Sequence, residues 1–361
     1  MKNIIFNGMI LDENPTGLGV FTKNVLDNID KNKIKTIISH KKLNYSVKNT
    51  IVNIESKNKL KRIFLRNYKF NKVINNLLED GDIIFSPTQH GVIRKNLNQI
   101  ITIHDMIPLF YPQGRIHQYI YYKYILPKVI KNCKKIITVS NYTKKDLVEY
   151  YKIPSEKIEV VYNGYNKPKF VDIDKSIEFV KNQFDVDDYI LMVGINYKYK
   201  NLHSVIKAYS DIETKSKLVI VGNYNVEYGR YLKRIVSEYG LDKKVIFLGY
   251  VSEEEKEMLY QASKFFIFPS LYEGFGLPVL EAMANKTPVL LSNSTSLPEV
   301  GGEAAVYFDS NNIDEIKRSL EYMFNLDETE RRNLIGKGLK NIERFSWKKC
   351  GKQLSKIFDN I

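Results

Sequence analysis

The sequence predicts an α/β protein with two doubly wound, parallel-sheet domains that face a central cleft. Two observations carry this prediction. Short apolar, β-rich runs alternate with helical spacers along the chain, and 361 residues are too many for one ordinary domain. In the second half, three apolar runs end in glycine, at Gly194, Gly222 and Gly249. Because glycine permits tight turns and the close approach of a nucleotide, the pattern favours Rossmann-like domains.

The first half contains five predicted strands. The apolar run near the N-terminus predicts the first strand and not a signal peptide, since Asn7, Asp12 and Glu13 interrupt its apolar character. It leads into a loop with Gly17 and Gly19 that opens an amphipathic helix. Because this loop follows a strand at the carboxyl edge of the sheet, Gly19 is a candidate for close approach to a ligand. Plain turn formation is the alternative. The five strands span residues 4–10, 82–86, 99–105, 134–140 and 157–165.

Three further features of the first half concern the edge of the sheet that could bind a ligand, the domain core and the start of a helix. The strand 99–105 ends in His104-Asp105, a position well placed for a cleft, although a satisfied structural histidine is the alternative. Residues 115–131 predict a tyrosine-rich helix whose aromatic side chains belong to the domain core, with a membrane interface as the alternative. Ser140 or Asn141 is predicted to cap the helix that follows the strand 134–140.

The second half repeats the alternation after a predicted linker. Residues 165–187 carry Pro168 and scattered charges without a strong period, so we place the domain boundary there, with domains at 1–168 and 169–345. Beyond residue 312 the pattern is helical, and residues 346–361 predict an amphipathic helix that we expect to cross back to the first domain. The predicted strands span residues 189–194, 217–222, 244–250, 264–268 and 288–292.

The stretch 268–281, FPSLYEGFGLPVLE, carries the strongest signal for a binding site. A strand, a glycine loop and a helix that begins near Pro278 present unpaired N–H groups to an anion, most often phosphate. Glu273 and Glu281 would repel a phosphate, and as carboxylates they accept hydrogen bonds from hydroxyls. A nucleotide sugar combines both kinds of group. Lys200, just before a predicted helix over 201–210, can reach a phosphate at the same edge.

The charge of the chain is concentrated in its first half. Residues 1–170 hold 29 Lys and Arg against 13 Asp and Glu, whereas residues 171–361 hold 26 against 28. Nucleic acid, an anionic membrane surface or an anionic substrate would each fit this excess. The basic segment 56–72 predicts either a helix lying on an anionic bilayer or a solvated helix face. No apolar run approaches the roughly 20 residues of a membrane span, and the two cysteines indicate reduced, structural thiols.

Taken together, several motifs resemble a known family. Glu273 and Glu281, with seven residues between them, and the following segment 285–309 resemble the retaining, GT-B-fold glycosyltransferases of family four. TGLGVFTKNV, TIHDMIPLFYP, TVSNYTKKDL and IEVVYNGY extend the resemblance over nearly the whole chain. One position departs from the family pattern: Tyr199 precedes Lys200 where an arginine is usual, so one of two phosphate-binding cations is missing. Either Lys198 substitutes for it or the site is weaker.

The resemblance implies transfer of a sugar from a nucleoside diphosphate sugar to a glycan or polyprenyl-diphosphate-linked acceptor, with retained configuration. It implies no metal or other cofactor, no nucleic acid partner, and a cytoplasmic protein that binds the inner face of the membrane peripherally, in bacterial surface polysaccharide synthesis. A non-catalytic partner subunit and a nucleotide-sugar epimerase are the alternatives. The implied catalytic residues are His104, Lys200 and Glu273, with Asp105 on the acceptor side of the cleft. The implied donor-binding residues are Gly19, Gly194, Lys200, Tyr250, Glu273, Gly274, Phe275, Gly276, Leu277 and Glu281.

Overall fold

The computed structural model describes residues 3–12, 17–53, 59–169 and 172–361, without the side chains of residues 59–67. Residues 13–16 of the predicted glycine loop and residues 56–58 of the basic segment lie outside the described residues. The chain divides into two units. Unit 1 comprises Met1–Gly164 and Phe345–Ile361, and unit 2 comprises Tyr165–Arg344. The division therefore falls slightly before the predicted boundary at residue 168.

Unit 1 is built on a seven-stranded parallel sheet of order β3-β2-β1-β4-β5-β6-β7. The strand order reverses beside β1, which lies between β2 and β4, and ligands of such sheets bind at this kind of reversal. Ile5 and Ile84 share a core with Ile74 on one face of the sheet, while Phe85 meets Phe358 on the other. The strands are β1 (Ile4–Asn7), β2 (Ile34–Ser39), β3 (Asn49–Ile51), β4 (Ile83–Ser86), β5 (Asn98–Ile103), β6 (Lys135–Thr138) and β7 (Ile158–Val160).

The helices of unit 1 include the tyrosine-rich stretch, which forms two short helices joined by a π turn at Tyr121–Ile125. The core interpretation of its tyrosines is right for Tyr122, which is buried, and wrong for Tyr124, which is 56% exposed. Ser140 caps the following helix by accepting a hydrogen bond from the Thr143 N–H. The helices are α1 (Leu18–Asn28), α2 (Lys59–Leu77), α3 (Ile107–Phe110), α4 (Ile116–Ile120), α5 (Leu126–Lys131) and α6 (Asn141–Tyr151).

Unit 2 contains a six-stranded parallel sheet of order β10-β9-β8-β11-β12-β13, whose strand order reverses between β8 and β11. All five strands predicted for this half are present. The strands are β8 (Tyr189–Val193), β9 (Lys217–Val221), β10 (Val245–Gly249), β11 (Phe266–Phe268), β12 (Val289–Ser292) and β13 (Ala305–Phe308). The helices are α7 (Ile173–Phe184), α8 (Leu202–Ser210), α9 (Glu227–Glu238), α10 (Glu253–Ala262), α11 (Leu277–Ala284), α12 (Leu297–Gly301), α13 (Ile313–Phe324) and α14 (Glu328–Ile342).

The structure corrects the sequence prediction at four elements. Helix α7 occupies much of the predicted linker, where Asp172 caps its first turn and Val180 is buried. Strands β2, β3 and β13 are absent from the prediction. Lys35 and Thr36 interrupt the apolar run of β2, whereas β3 and β13 are short and lie at sheet edges. Short edge strands carry too few buried residues to produce a clear alternation.

The last helix, α15 (Trp347–Asp359), packs on unit 1. The Trp347 ring lies 6.1 Å from the ring of Phe21 in α1, and Phe358 lies 4.9 Å from Phe85 in β4. Cys350 of this helix and Cys133 are buried free thiols, and burial raises the pKa of each to about 12. Among the residues that the structure describes, no helix combines the length and apolarity needed to cross a membrane.

Candidate active site

The glycine loop between β11 and α11 forms the framework of the site. Gly276 immediately precedes α11 with φ 115° and ψ 50°, a backbone conformation that residues other than glycine rarely adopt. A Cβ atom at this position would also lie 2.9 Å from Cδ2 of Leu297. Pro278 follows in the first turn of α11. The first turn of a helix presents N–H groups that lack intrahelical partners, at the positive end of the helix dipole.

Lys200 and Glu273 meet at this loop. Lys200 ends a 3₁₀ turn after β8, and its Nζ lies 2.6 Å from Oε1 of Glu273 in the loop after β11. The ammonium also lies 5.0 Å from the centre of the Phe268 ring. Because β8 and β11 flank the reversal of strand order, their loops converge at the edge where open α/β sheets bind ligands. The structure thus brings together two residues that the sequence placed there separately.

A third loop, after β12, holds the backbone around Glu273. The Glu273 N–H donates to Oγ1 of Thr295 at 3.0 Å, and the Ser296 hydroxyl lies 2.9 Å from the carbonyl oxygens of Glu273 and Phe275. Thr295 has φ 55°, in the left-handed region that a β-branched residue avoids. Sequence reasoning missed Thr295 and Ser296. The available signal was their position just after β12, whose carboxyl end lies at the same edge as that of β11.

Glu281 in α11 is held by residues of α10. Its Oε2 lies 3.2 Å from Nζ of Lys256 and 3.4 Å from the hydroxyl of Tyr260. Burial lowers the pKa of Lys256, but Glu281 and Glu253 outweigh burial and raise that pKa above its ordinary value. Lys256 and Tyr260 were also missed, although their spacing of four positions puts them on one face of a helix.

Residues around Lys200 show how the departure at Tyr199 is accommodated. Tyr199 is buried, its ring stacks on that of Tyr197 at 5.8 Å, and its carbonyl accepts a hydrogen bond from the Leu271 N–H at 2.8 Å. Tyr199 therefore supports both the loop after β8 and the loop after β11. The Lys198 ammonium lies 6.0 Å from the ring centre of Tyr231 in α9, whereas Lys200 is the residue that pairs with Glu273.

Two other predicted donor-binding residues follow strands of the same sheet. Gly194 comes directly after β8 with φ 99°, and Tyr250 comes directly after β10. The Tyr250 side chain is 87% exposed, so its ring is available for stacking. Gly274, Phe275 and Leu277 belong to the glycine loop and the start of α11 already described.

The remaining predicted residues belong to unit 1. His104 is buried, with Nε2 2.9 Å from the Pro87 carbonyl and its ring edge-to-face with Phe21. Burial lowers the pKa of His104 to about 4, so the neutral ring donates through Nε2 and leaves Nδ1 as an acceptor. Oδ1 of Asp105 accepts from the Ile107 N–H at 3.0 Å. Gly19 lies in the first turn of α1. The prediction that it lies in the preceding loop is therefore wrong.

Comparison with known proteins decides the family. The model for Glycosyltransferase Family 4 matches residues 20–167, and the model for Glycosyl transferases group 1 matches residues 174–340. The O-antigen chain mannosyltransferase RfbU of Salmonella typhimurium is 33% identical over 269 residues, which cover 74% of this chain and 73% of the relative. The chain belongs to glycosyltransferase family 4.

A further relative of this glycosyltransferase is similar in sequence, and two solved structures are similar in fold. The O-antigen chain mannosyltransferase B of Escherichia coli is 28% identical over 263 residues, covering 70% of this chain and 68% of the relative. The structure of a sucrose-phosphate synthase from Thermosynechococcus elongatus matches with TM-score 0.80 at 17% identity, covering 100% and 99% of the two chains. Anabaena HepE in complex with UDP and glucose matches with TM-score 0.78 at 15% identity, covering 100% of both. The glycosyltransferase has the GT-B fold.

Proposed function

We propose that this glycosyltransferase is a retaining, metal-independent enzyme that transfers a mannosyl residue from a nucleoside diphosphate sugar to a glycan of a bacterial surface polysaccharide. The choice of mannose and of a surface polysaccharide is supported by the O-antigen mannosyltransferases among its relatives. The observation that carries the proposal is the Lys200–Glu273 pair beside the first turn of α11. This arrangement offers a cation, helix N–H groups and a hydroxyl acceptor within one site.

The chemistry of the leaving group explains the need for these groups. Breaking the bond between the sugar C1 and the phosphate oxygen leaves negative charge on the nucleoside diphosphate and positive character on the ring. We assign the stabilisation of that negative charge to Lys200 and to the N–H groups of the first turn of α11. In this proposal the diphosphate replaces Glu273 as the partner of Lys200. Glu273 then accepts hydrogen bonds from hydroxyls of the donor sugar, and Glu281 accepts one from the ribose of the nucleoside.

Retention follows in this proposal from attack on the same face of the sugar. The acceptor oxygen bonds to C1 as the C1–phosphate bond breaks, and the acceptor proton passes to an oxygen of the departing phosphate. Glu273 is fixed through its backbone by Thr295, and in this proposal its carboxylate is engaged by hydroxyls of the donor sugar, so we assign it as a binding group and not as a nucleophile. His104, with a neutral ring, is proposed to accept a hydrogen bond from the donor sugar, and Asp105 to lie on the acceptor side.

The decisive experiment measures nucleoside diphosphate release from GDP-mannose, UDP-glucose, UDP-galactose and dTDP-rhamnose, with and without a chelator. We expect turnover of GDP-mannose that survives chelation, and an α-linked product from an α-linked donor by NMR. A donor at 100 times its dissociation constant should stabilise the protein by about 2.7 kcal/mol in a thermal-shift assay. An inverted product or a glycosyl adduct trapped on Glu273 would refute the mechanism. Failure of every donor to bind would favour the non-catalytic alternative.

We also propose that the enzyme binds an anionic membrane surface peripherally. Ile116, Ile120 and Tyr124 are 64%, 50% and 56% exposed and follow one another at helical spacing in unit 1. They lie within residues 106–145, a stretch with eight Lys and Arg and no Asp or Glu. Apolar side chains among cations suit the headgroup region of an anionic bilayer. We call Ile116, Ile120, Tyr124 and the neighbouring Lys123 the apolar–basic face.

A further inference from the structure

The carboxylate of Glu281 receives two contacts from a neighbouring helix, and both contacts fall on the same oxygen. Oε2 lies 3.2 Å from Nζ of Lys256 and 3.4 Å from the hydroxyl of Tyr260. Lys256 and Tyr260 are four positions apart on α10, so they project from one face of that helix toward α11. One carboxylate oxygen is therefore engaged from a single direction.

The surroundings of these contacts restrict the orientation of the Glu281 carboxylate. Lys256 is 17% exposed and Glu281 is 28% exposed, while Tyr260 is fully buried. Burial raises the pKa of Tyr260 well above its ordinary value, so its hydroxyl keeps the proton that it donates to Glu281. Removing Lys256 or the Tyr260 hydroxyl would leave Oε2 without one of its partners in a partly desolvated setting, where an unmet polar group is costly.

Lys256 has a second partner that serves as a natural control. Its Nζ lies 2.9 Å from Oε2 of Glu253, whose side chain is 77% exposed in the first turn of α10. An exposed ion pair of this kind contributes little free energy. Removing the Glu253 charge therefore removes one partner of Lys256 and leaves its contact with Glu281 in place.

We propose that Lys256 and Tyr260 are positioning residues that hold Glu281 in the orientation that selects a ribose hydroxyl over the corresponding deoxyribose position. This inference rests on the proposed function, in which Glu281 accepts a hydrogen bond from the ribose of the donor. Because both donors engage Oε2, the proposal assigns the ribose hydroxyl to the other oxygen, Oε1. A hydrogen bond to an ionised carboxylate changes affinity by roughly tenfold or more.

The test compares GDP, UDP and ADP with their 2′-deoxy and 3′-deoxy counterparts by titration calorimetry. The proteins are wild type, Lys256→Met, Lys256→Arg and Glu253→Gln. Methionine keeps the length and apolar stem of the lysine side chain and removes its charge. We expect wild type to bind one ribonucleotide roughly tenfold or more tightly than a deoxy counterpart. In Lys256→Met this ratio should fall toward one through lost ribonucleotide affinity, whereas Lys256→Arg and Glu253→Gln should keep it.

Tyr260→Phe is a second variant that does not depend on Lys256. Phenylalanine fills the same buried volume without the hydroxyl, so the fold should persist, and the ribose preference should fall several-fold. With the sugar donor, both variants should raise KM more than they lower kcat, because the ribose contact is made in the ground state as well as in the transition state. A role limited to stability would lower the melting temperature and leave the ribose preference unchanged.

The outcomes separate this inference from the function on which it rests. Folded Lys256→Met and Tyr260→Phe proteins with the ribose preference of wild type would overturn the inference and leave the proposed function intact. A wild-type protein that binds none of the three ribonucleotides would overturn the proposed function itself. Melting temperatures of all variants establish that each protein is folded.

Discussion

Nζ of Lys200 lies 2.6 Å from Oε1 of Glu273, and each side chain keeps less than a fifth of its surface exposed. The pair joins two loops whose residues are 73 positions apart in the chain. Each member neutralises a charge that would be costly to leave alone in this setting. The ion pair thus stabilises the empty site and keeps both groups ready for a donor.

Lys200→Met should lower kcat by about 10²- to 10³-fold, because the departing diphosphate loses a fixed cation. It should also lower the free energy of unfolding by about 1 to 3 kcal/mol, since Glu273 stays largely buried without its partner. The double variant Lys200→Met/Glu273→Gln should recover stability and remain inactive. Lys198→Met is the control, and it should change neither quantity strongly. Equal loss of turnover in the two lysine variants would contradict the assignment. Donor turnover and urea denaturation are the measurements.

Gly276→Ala should destabilise unit 2 by about 1 to 3 kcal/mol, because φ 115° is strained for alanine and its Cβ would press on Leu297. Gly336→Ala is a matched control within α14, where an added Cβ meets nothing within 4 Å. That substitution should stabilise the protein by about 0.5 to 1 kcal/mol. Thermal unfolding of both variants tests whether the first substitution destabilises the protein and the second stabilises it. Equal effects at the two glycines would show that the geometry at Gly276 is unimportant.

Thr295 couples a strained backbone to the position of Glu273. Thr295→Gly should relieve the strain and remove the acceptor for the Glu273 N–H, so the melting temperature should change little while turnover falls about tenfold. Thr295→Ser keeps the hydroxyl and should keep most of the turnover. Donor kinetics of the two variants distinguish the roles. Full activity in Thr295→Gly would mean that the contact with Glu273 does not orient the site.

The sequence predicts the local framework of this site well. The strand, glycine loop and helix at 266–284 are specified by adjacent residues, through an apolar run, two glycines and a proline, and the structure confirms them. The position of Lys200 before α8 follows from the same local rules. Such features depend on short-range backbone preferences, which one sequence displays directly.

The contacts between segments that are distant in the chain could not be predicted from the sequence. The pairing of Lys200 with Glu273 depends on the reversal of strand order between β8 and β11, and the spacing of residues does not reveal that order. The contact of Thr295 with Glu273 depends in the same way on β12 lying beside β11. Helix α7 was missed although Ile173, Ile177 and Val180 recur at helical spacing behind the cap at Asp172, because Pro168 and the scattered charges indicated a linker.

The buried His104 and the half-buried His203 should make the protein less stable at mildly acidic pH. Burial lowers the pKa of His104 from 6.5 to about 4, and burial with Lys198 and Lys207 lowers that of His203 to about 4. The unfolded chain therefore binds these protons first, and the free energy of unfolding should fall as the pH drops from about 6.5 toward 4. For His104 the loss is at most about 3 kcal/mol.

Urea denaturation at several pH values tests this expectation, with His104→Gln as the comparison. Glutamine keeps an N–H donor for the Pro87 carbonyl and does not titrate, so this variant should show a shallower dependence on pH than wild type. The part of the dependence that persists should come from His203. Parallel curves for wild type and variant above pH 5 would count against a neutral, buried His104.

The apolar–basic face should bind vesicles that contain an anionic lipid, and not vesicles of neutral lipid. Binding should weaken strongly near 1 M salt, where the Debye length is about 3 Å. Ile116→Ser/Ile120→Ser should weaken binding by roughly 30-fold, from about 1 kcal/mol for each half-exposed isoleucine. Ile173→Ser/Ile313→Ser alters two exposed isoleucines of unit 2 and should leave vesicle binding unchanged. Co-sedimentation with vesicles measures binding for each lipid, each salt concentration and each variant. Equal binding by the two double variants would place the membrane contact elsewhere.

Helix α15 has a consequence for the order in which the protein is made. Unit 1 needs Phe345–Ile361 to cover Phe21 and Phe85, whereas unit 2 is one uninterrupted stretch, Tyr165–Arg344. During synthesis the second unit therefore has its complete sequence before the first unit has received residues 345–361. A stop codon just after residue 344 would leave unit 2 whole and damage unit 1, although all but 17 residues of unit 1 precede unit 2 in the chain.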